Sequence, residues 1–267
     1  MKLLPQLTEL QQHINHYWVV EESPDVFRTE TKVFEYPGVR PEIILILKGH
    51  LTYTYLGKTY RTDKSMLASH ISGRFLFDSS NLEQFIFIQF KPRSVASLLP
   101  FTGLSGSQLM GNSFCPLDEV FGKEVTHLEQ ELIEKSEEEY GNILDTFFAK
   151  KLATGHSSFL MEMMSDLTYS DGISAVLDKT GYSLSTLERH VKRETGLTPK
   201  TYLGLRKYKA AVEEINLSQN ADWQHYVNKY DYFDQSHFIK TVKRYTGFTP
   251  GQLLKTPDLI NLRPAYL

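Results

Sequence analysis

A chain that spells the same thirteen-residue pattern twice has to build the same local unit twice, and this constrains the fold more than any other feature. Leu187 to Pro199 reads LERHVKRETGLTP, and Phe238 to Pro250, 51 residues further on, reads FIKTVKRYTGFTP. Seven of the thirteen positions are identical: Val191/Val242, Lys192/Lys243, Arg193/Arg244, Thr195/Thr246, Gly196/Gly247, Thr198/Thr249 and Pro199/Pro250.

Each copy reads as a short basic helix with both ends marked. Ser183 and Asp234 stand at equivalent places as N-caps, where a side-chain oxygen accepts from the free N–H groups of the first turn. Gly196 and Gly247 supply the positive φ of a C-terminal cap. Thr-Pro then opens the next helix, with Thr198 or Thr249 as cap and the proline at the first position. Leu187 with Val191, and Phe238 with Val242, lie four apart on one apolar stripe. Arg189, Lys192 and Arg193, with Lys240, Lys243 and Arg244, therefore face largely elsewhere.

A basic helix preceded by a shorter helix and a tight turn is the pattern of a helix-turn-helix. In the first unit Ile173, Val176 and Leu177 supply the buried face of the leading helix, and Gly181-Tyr182 the turn. In the second, Trp223, Tyr226, Val227 and Tyr230 repeat that spacing, and Asp231-Tyr232-Phe233 makes a turn one residue longer. Pro199 to about Ile215 reads as a connecting helix carrying Leu203, Ala210, Ala211 and Ile215. At about 1.5 Å per residue it spans roughly 25 Å, a strut suited to holding two reading heads in successive major grooves about 34 Å apart.

The run Asp234-Gln235-Ser236-His237-Phe238, then Lys243 and Gly247-Phe248-Thr249-Pro250, resembles the signature of AraC-type (AraC/XylS) transcription regulators. Gly181-Tyr182-Ser183, Leu187, Arg189, Gly196, Thr198-Pro199 and Tyr202 resemble the first half of the same domain. The resemblance runs from about Ser157 to Leu254 and implies a seven-helix DNA-binding domain with both recognition helices in the major groove. Three positions depart from it. Asp231 replaces a turn glycine, although Asp tolerates the left-handed region better than most residues. Lys240 and Lys207 replace arginines, and a lysine cannot make the bidentate guanine contact that arginine makes.

Family geometry implies that Ser185, Glu188 and Arg189 approach base edges from the first helix, Arg189 suiting guanine and Glu188 suiting cytosine N4. Gln235, Ser236, Ile239 and Lys240 hold the matching places in the second, with Gln235 suiting adenine and Ile239 a thymine methyl. Lys192, Arg193, Lys243 and Arg244, with the helix N-termini at Thr198 and Thr249, would hold phosphates. Partners implied are double-stranded DNA and, by the family resemblance, RNA polymerase.

Charge is distributed to match. The net charge of the 267 residues is only −3. Residues 156–267 nevertheless hold 14 Lys+Arg against 12 Asp+Glu, while residues 1–155 hold 15 against 20. Ser183 to Ala211 alone carries seven basic and two acidic residues, a local basic surface of the kind DNA requires. A lone Cys115 excludes an internal disulfide and a multi-cysteine zinc site. No apolar leader and no apolar run near the length of a membrane span is present, so a cytoplasmic location is expected.

The N-terminal half has a different texture. His13 to Val20, Phe27 to Tyr36, Glu42 to Leu47, Leu51 to Leu56, Thr59 to Thr62, Met66 to Ile71, Phe75 to Phe77 and Phe85 to Lys91 read as short strands. Hairpin turns are expected at Gly57-Lys58 and at Lys48-Gly49-His50. Arg93 to Leu99 reads as a short helix, and Leu117 to Lys135 with Glu138 to Leu152 as a helical hairpin. Its apolar stripe, Val120, Val125, Leu128 and Leu132, fits a dimer interface and a domain core equally well. The expected fold class is α+β in two domains. Residues 1–155 form a cupin-like antiparallel barrel or sandwich with the hairpin, and residues 156–267 an all-α double helix-turn-helix domain.

His16-Tyr17-Trp18, Ile43 to Leu47 and Ile88-Gln89-Phe90-Lys91-Pro92 also resemble cupin-like sensor or oligomerisation domains of such regulators. That resemblance implies a role, a small-molecule effector or a homodimer, without naming a ligand. No cofactor or metal is expected: His13 and His16 lie three apart on a strand and point to opposite faces, and His50 and His70 are isolated. Glu137-Glu138-Glu139 reads as the first turn of a helix, where negative charge is favourable. Cys115 reads as a small buried residue, and Trp223 and Tyr226 as core. No acid, base or metal constellation for an enzyme is visible. The remaining rival is an architectural or interaction protein without strong sequence readout, with Lys240, Lys207 and Asp231 as marks of a decayed reader.

Overall fold

The structure is a computed structural model that describes residues 1–21, 32–35, 38–55, 57–68, 75–91, 94, 98, 114–152 and 158–255. In chain order the strands are β1 (Lys2–Leu3), β2 (Ile14–Glu21), β3 (Lys32–Glu35), β4 (Glu42–Gly49), β5 (Leu51–Tyr55), β6 (Lys58–Thr62), β7 (Met66–Ala68), β8 (Phe75–Asp78), β9 (Leu82–Phe90) and β10 (Phe114–Pro116). They form two antiparallel sheets, one ordered β1-β2-β9-β4-β7-β10 and the other β3-β8-β5-β6.

The alternation of side chains along β2, β4 and β9 explains how the sheets are layered. Trp18, Val20, Ile44, Ile46, Phe85 and Phe87 pack with Leu51, Tyr53, Phe75 and Phe77 of the smaller sheet. Tyr17, Val19, Ile43, Leu45, Ile86 and Ile88 point the other way, onto a helical layer. The central strands are thus buried on both faces, which is why they are written as near-continuous apolar runs. Each fully buried aliphatic side chain here contributes about 1.5–3 kcal/mol of burial free energy. The two sheets remain separate, so the architecture is a sandwich and not a closed barrel.

Helices α1 (Thr8–Gln11), α2 (Leu117–Phe121), α3 (Glu124–Glu134) and α4 (Glu137–Leu152) make that outer layer. Val120, Val125, Leu128 and Leu132 all enter the core between helices and sheet. The stripe that could equally have been an interface is therefore internal packing. The expected single helix from Leu117 to Lys135 is in fact two, broken where Gly122 adopts φ 69°. Glu137, Glu138 and Glu139 occupy the first turn of α4 as expected, and Cys115 is buried. Its thiol is pushed up to about 11 by burial and by the carboxylates of Glu119 and Asp118, which keeps it protonated. His13 is likewise interior and shares a hydrogen bond with Ser94 at 3.3 Å.

Two turns differ from expectation. Tyr55 pairs with Lys58, so Lys58 is already in β6 and only Gly57 of the expected pair lies in the turn. Lys48-Gly49-His50 does not close a hairpin: β4 and β5 belong to different sheets, and the segment is a corner between them. Gly49 has φ 98°, and a Cβ there would stand 2.2 Å from the carbonyl oxygen of Asn81. The corner can only be turned without a side chain. The short β1, α1 and β10 are not among the expected elements, and the expected helix from Arg93 to Leu99, the outer parts of three expected strands and His70 fall mostly or wholly outside the described residues.

The C-terminal region is all helical: α5 (Phe159–Asp166), α6 (Ile173–Thr180), α7 (Leu184–Thr195), α8 (Pro199–Ser218), α9 (Trp223–Lys229), α10 (Gln235–Thr246) and α11 (Pro250–Lys255). These share one core, with Tyr202, Leu205, Tyr208, Ala211, Val212 and Ile215 along the buried face of α8. Seven helices among the described residues match the number that the family resemblance implied. Among the described residues no helix, in either region, is long and apolar enough to cross a membrane.

Candidate DNA-binding surface

Both repeats fold as their end signals require. Ser183 Oγ accepts from the Thr186 N–H at 3.2 Å, and Asp234 Oδ1 from the His237 N–H at 2.6 Å. Gly196 and Gly247 close α7 and α10 at φ 73° and 82°, donating to the carbonyls of Lys192 and Lys243 at 2.8 Å. The repeated threonines also have a structural reason. Thr195 and Thr246 are buried, donate to the carbonyls of Val191 and Val242, and accept from the N–H groups of Leu197 and Phe248. In the sequence these two threonines show only as identities between the repeats.

Leu187, Val191, Phe238 and Val242 are buried in the shared core. That fixes which face of each recognition helix is left to solvent. Ser185, Glu188, Arg189, Lys192 and Arg193 are exposed on α7, and Gln235, Ser236, Lys240, Lys243 and Arg244 on α10. Arg189, Lys192, Lys240 and Lys243 make no ion pair among the described residues, whereas Arg193 bonds to His190 Nδ1 at 3.1 Å and to Glu194 at 3.4 Å. Ile239 is half-buried against the core, so it offers only part of its side chain outward. Thr198 caps α8 by accepting from the Thr201 N–H at 3.2 Å, and Thr249 accepts from the Gln252 N–H at 3.3 Å. In both cases the hydroxyl oxygen is engaged within the fold.

Between the two units α8 runs for 20 residues, longer than the sequence suggested and about 30 Å at 1.5 Å per residue. Glu214 on this strut anchors the leading helix of the second unit. Its carboxylate accepts from His225 Nε2 and Lys229 Nζ, both at 2.9 Å, and from the Tyr230 hydroxyl. Burial alone would raise the pKa of Glu214, but these three donors outweigh it and hold the group down at about 2. Tyr230 is raised in turn, by burial and by the carboxylate beside it. Trp223 and Tyr226 are part of the same core, Tyr226 stacking on Phe238 with centroids 5.8 Å apart.

The two departures at Asp231 and Lys207 turn out to be one arrangement. Asp231 adopts φ 51° in the turn of the second unit. Lys207 Nζ donates to the Asp231 carbonyl at 2.8 Å, lies 3.6 Å from its carboxylate and sits 5.5 Å from the centroid of the Tyr232 ring. A lysine clamp thus holds the non-glycine turn.

Phe233, next in the chain after Tyr232, is 91% exposed, the most exposed large apolar side chain among the described residues. It was read in the sequence only as part of a turn. The signal available was the extra residue in the second turn.

Two helix-turn-helix units with exposed basic recognition helices, joined by a rigid strut, define a double-headed nucleic-acid reader. Residues 176–256 match the helix-turn-helix domain family. The C-terminal part of the chain is an AraC-type helix-turn-helix domain. Among solved structures the chain is similar to ToxT from Vibrio cholerae O395, with 13% identity over 92% of this chain and 97% of that one and a TM-score of 0.47. It is similar to unsaturated fatty acid bound wild-type ToxT from V. cholerae strain SCE256 at 13% identity, 89% and 93% coverage and a TM-score of 0.45. No curated protein sequence matches the chain.

Proposed function

We propose that this chain is a sequence-specific DNA-binding transcription regulator. Residues 156–267 would be the DNA-binding domain, and residues 1–155 the part that senses a small molecule or mediates oligomerisation. The observation that carries the reading is the pair of capped recognition helices, each presenting unpaired cations and short polar side chains on the one face its core leaves free. Arg189 and Glu188 from α7, with Gln235 and Lys240 from α10, are assigned to base edges, beside Ser185 and Ser236. Ile239 adds at most an apolar edge toward a thymine methyl. Lys192, Lys243 and Arg244 are assigned to phosphates with Arg193, the last in competition with His190 and Glu194. Thr198 and Thr249 contribute through the N-termini of the helices they cap.

No catalytic role is assigned to either region. A cytoplasmic location, a homodimer and contact with RNA polymerase follow from the role of a regulator. The test is selection of binding sites from random duplex DNA by the full-length protein at about 0.15 M salt. A motif of two boxes about one helical turn apart supports the bipartite reader. Binding without sequence preference would favour the architectural reading instead.

A further inference from the structure

We propose that Phe233 is a specificity-determining residue of the second reading head, its ring packing on the C5-methyl of a thymine at the rim of the groove entered by α10. This rests on the DNA-binding reading above and adds to it a contact that neither the repeat nor the family signature contains.

The argument begins with what the turn needs. Asp231 supplies the left-handed residue at φ 51°, as Gly181 does at φ 68° in the first unit. The Tyr232 N–H donates to the Val227 carbonyl at 2.9 Å, and its ring packs edge-on against His237 and Phe238. Asp234 then caps α10. Every structural requirement of the connection is met by Asp231, Tyr232 and Asp234. This turn is one residue longer than the first, and Phe233, immediately before the cap, is 91% exposed.

The first unit shows what an aromatic at the mouth of such a helix does when it has a partner. Tyr182 immediately precedes the cap Ser183 and stacks on His190, centroids 5.3 Å apart at 18°, which leaves it 38% exposed. Counting back from the repeat, Phe233 immediately precedes the cap Asp234, and Thr241 takes the place of His190. A threonine offers no ring to stack on. The phenylalanine is therefore left projecting beside the N-terminal turn of α10, next to exposed Gln235 and Ser236.

Isolated exposed apolar residues are ordinary on protein surfaces. This one is 91% exposed, makes no ring contact among the described residues, and stands at the end of the helix that a helix-turn-helix inserts first. The apolar feature the major groove offers there is the thymine methyl, which phenylalanine is among the side chains to contact. Ile239, the other apolar candidate on α10, is half-buried against the core and less able to serve.

The test uses the full-length protein and the duplex recovered by site selection, with each thymine in the box read by α10 replaced in turn by deoxyuridine, which lacks only the methyl group. Wild type is expected to lose about threefold to tenfold in affinity at one such position. Phe233→Ser should lose a similar factor on the unmodified duplex and nothing further at that position. Phe233→Leu should retain part of the sensitivity. Equal deoxyuridine effects in wild type and Phe233→Ser, or none in either, overturn the proposal while leaving the reader intact. Unchanged DNA affinity of Phe233→Ser with lost activation in a reconstituted transcription reaction overturns it in favour of a protein-docking residue. If no sequence is preferred at all, the DNA-binding reading itself fails and this proposal with it.

Discussion

The guanidinium of Arg40 grips the carboxylate of Glu213 with two hydrogen bonds, 3.0 and 3.4 Å, across 173 residues of sequence. Arg40 lies between β3 and β4, and Glu213 lies on the strut between the two reading heads. Beside the pair, Val39 is buried in the core of the C-terminal helices and Gly38 rests on the aliphatic stem of Lys209. The sheet region thus touches the DNA-binding region at the helix that sets the spacing of its heads. With side chains 36% and 30% exposed, the ion pair is worth at most about 1 kcal/mol. A double-mutant cycle with Arg40→Ala and Glu213→Ala should give a coupling of about 0.5–1 kcal/mol in urea denaturation. Val39→Ala, which empties a core position, should cost more, about 1–2 kcal/mol. A zero coupling together with a silent Val39→Ala would mean that the contact does not hold in solution.

Asp145 ties the N-terminal segment to the helical layer. It is 3% exposed, and accepts from the N–H groups of Gln6 and Leu7 at 2.7 and 3.0 Å and from the Tyr17 hydroxyl at 2.7 Å. Burial, reinforced by this carboxylate, drives the Tyr17 pKa upward, so the phenol stays a donor at any ordinary pH. Asp145→Leu strands the buried Tyr17 hydroxyl and removes the acceptor of two part-buried backbone N–H groups, and is expected to destabilise the sheet region by about 2 kcal/mol or more. Asp145→Asn keeps one acceptor and should cost about half as much. Equal urea midpoints for Asp145→Leu and wild type would show that these donors find other partners.

Acid should loosen the second reading head through Glu214. An unfolded glutamate titrates near 4.5, and the folded group is held at about 2. A carboxyl group whose folded pKa lies below its unfolded one stabilises the fold fully above the unfolded value and loses that contribution as pH falls toward the folded one. The Glu214→Gln variant should therefore be less stable than wild type at about pH 6, with the gap closing between about pH 4.5 and pH 2. Urea midpoints of the two proteins at several pH values measure it. A gap that stays constant down that range would assign the stabilisation to hydrogen bonding insensitive to the charge of Glu214.

The parts of this molecule legible in its sequence are those whose physics is local. Ser183, Gly196, Thr198 and their repeats each act within four residues, so their letters alone placed both ends of α7 and α10 and the starts of α8 and α11. The apolar alternation of β2, β4 and β9 likewise announced strands. What escaped depends on partners distant in the chain. Nothing near Lys207 in sequence reveals that it clamps the carbonyl of Asp231, so a compensated turn read as two separate departures. The break at Gly122 was hidden because the apolar stripe continues through it from Val120 to Val125. On the reading face, residue type and spacing identified the exposed cations. They could not reveal that Ile239 leans into the core or that Phe233 leans out of it.

Exposed cations on one recognition helix should divide by role when they are removed. Arg189 and Lys192 lie three apart on α7, and neither makes an ion pair among the described residues, so Ala substitution at either should leave folding stability nearly unchanged. Their effects on DNA should differ in kind. Losing a phosphate contact weakens every duplex alike and reduces the slope of log K against log salt by about one. Lys192→Ala is expected to behave that way. Losing a base contact costs about 1–3 kcal/mol on the preferred site and relaxes selection at one base pair, with other duplexes less affected. Arg189→Ala is expected to behave that way, because Arg189 is assigned to a base edge and Lys192, three residues further along α7, to a phosphate. Titrations of both variants against the selected site and its single-base substitutions, each at several salt concentrations, separate the two. Full discrimination at every position by Arg189→Ala would remove it from the base-reading set and assign it to the phosphates.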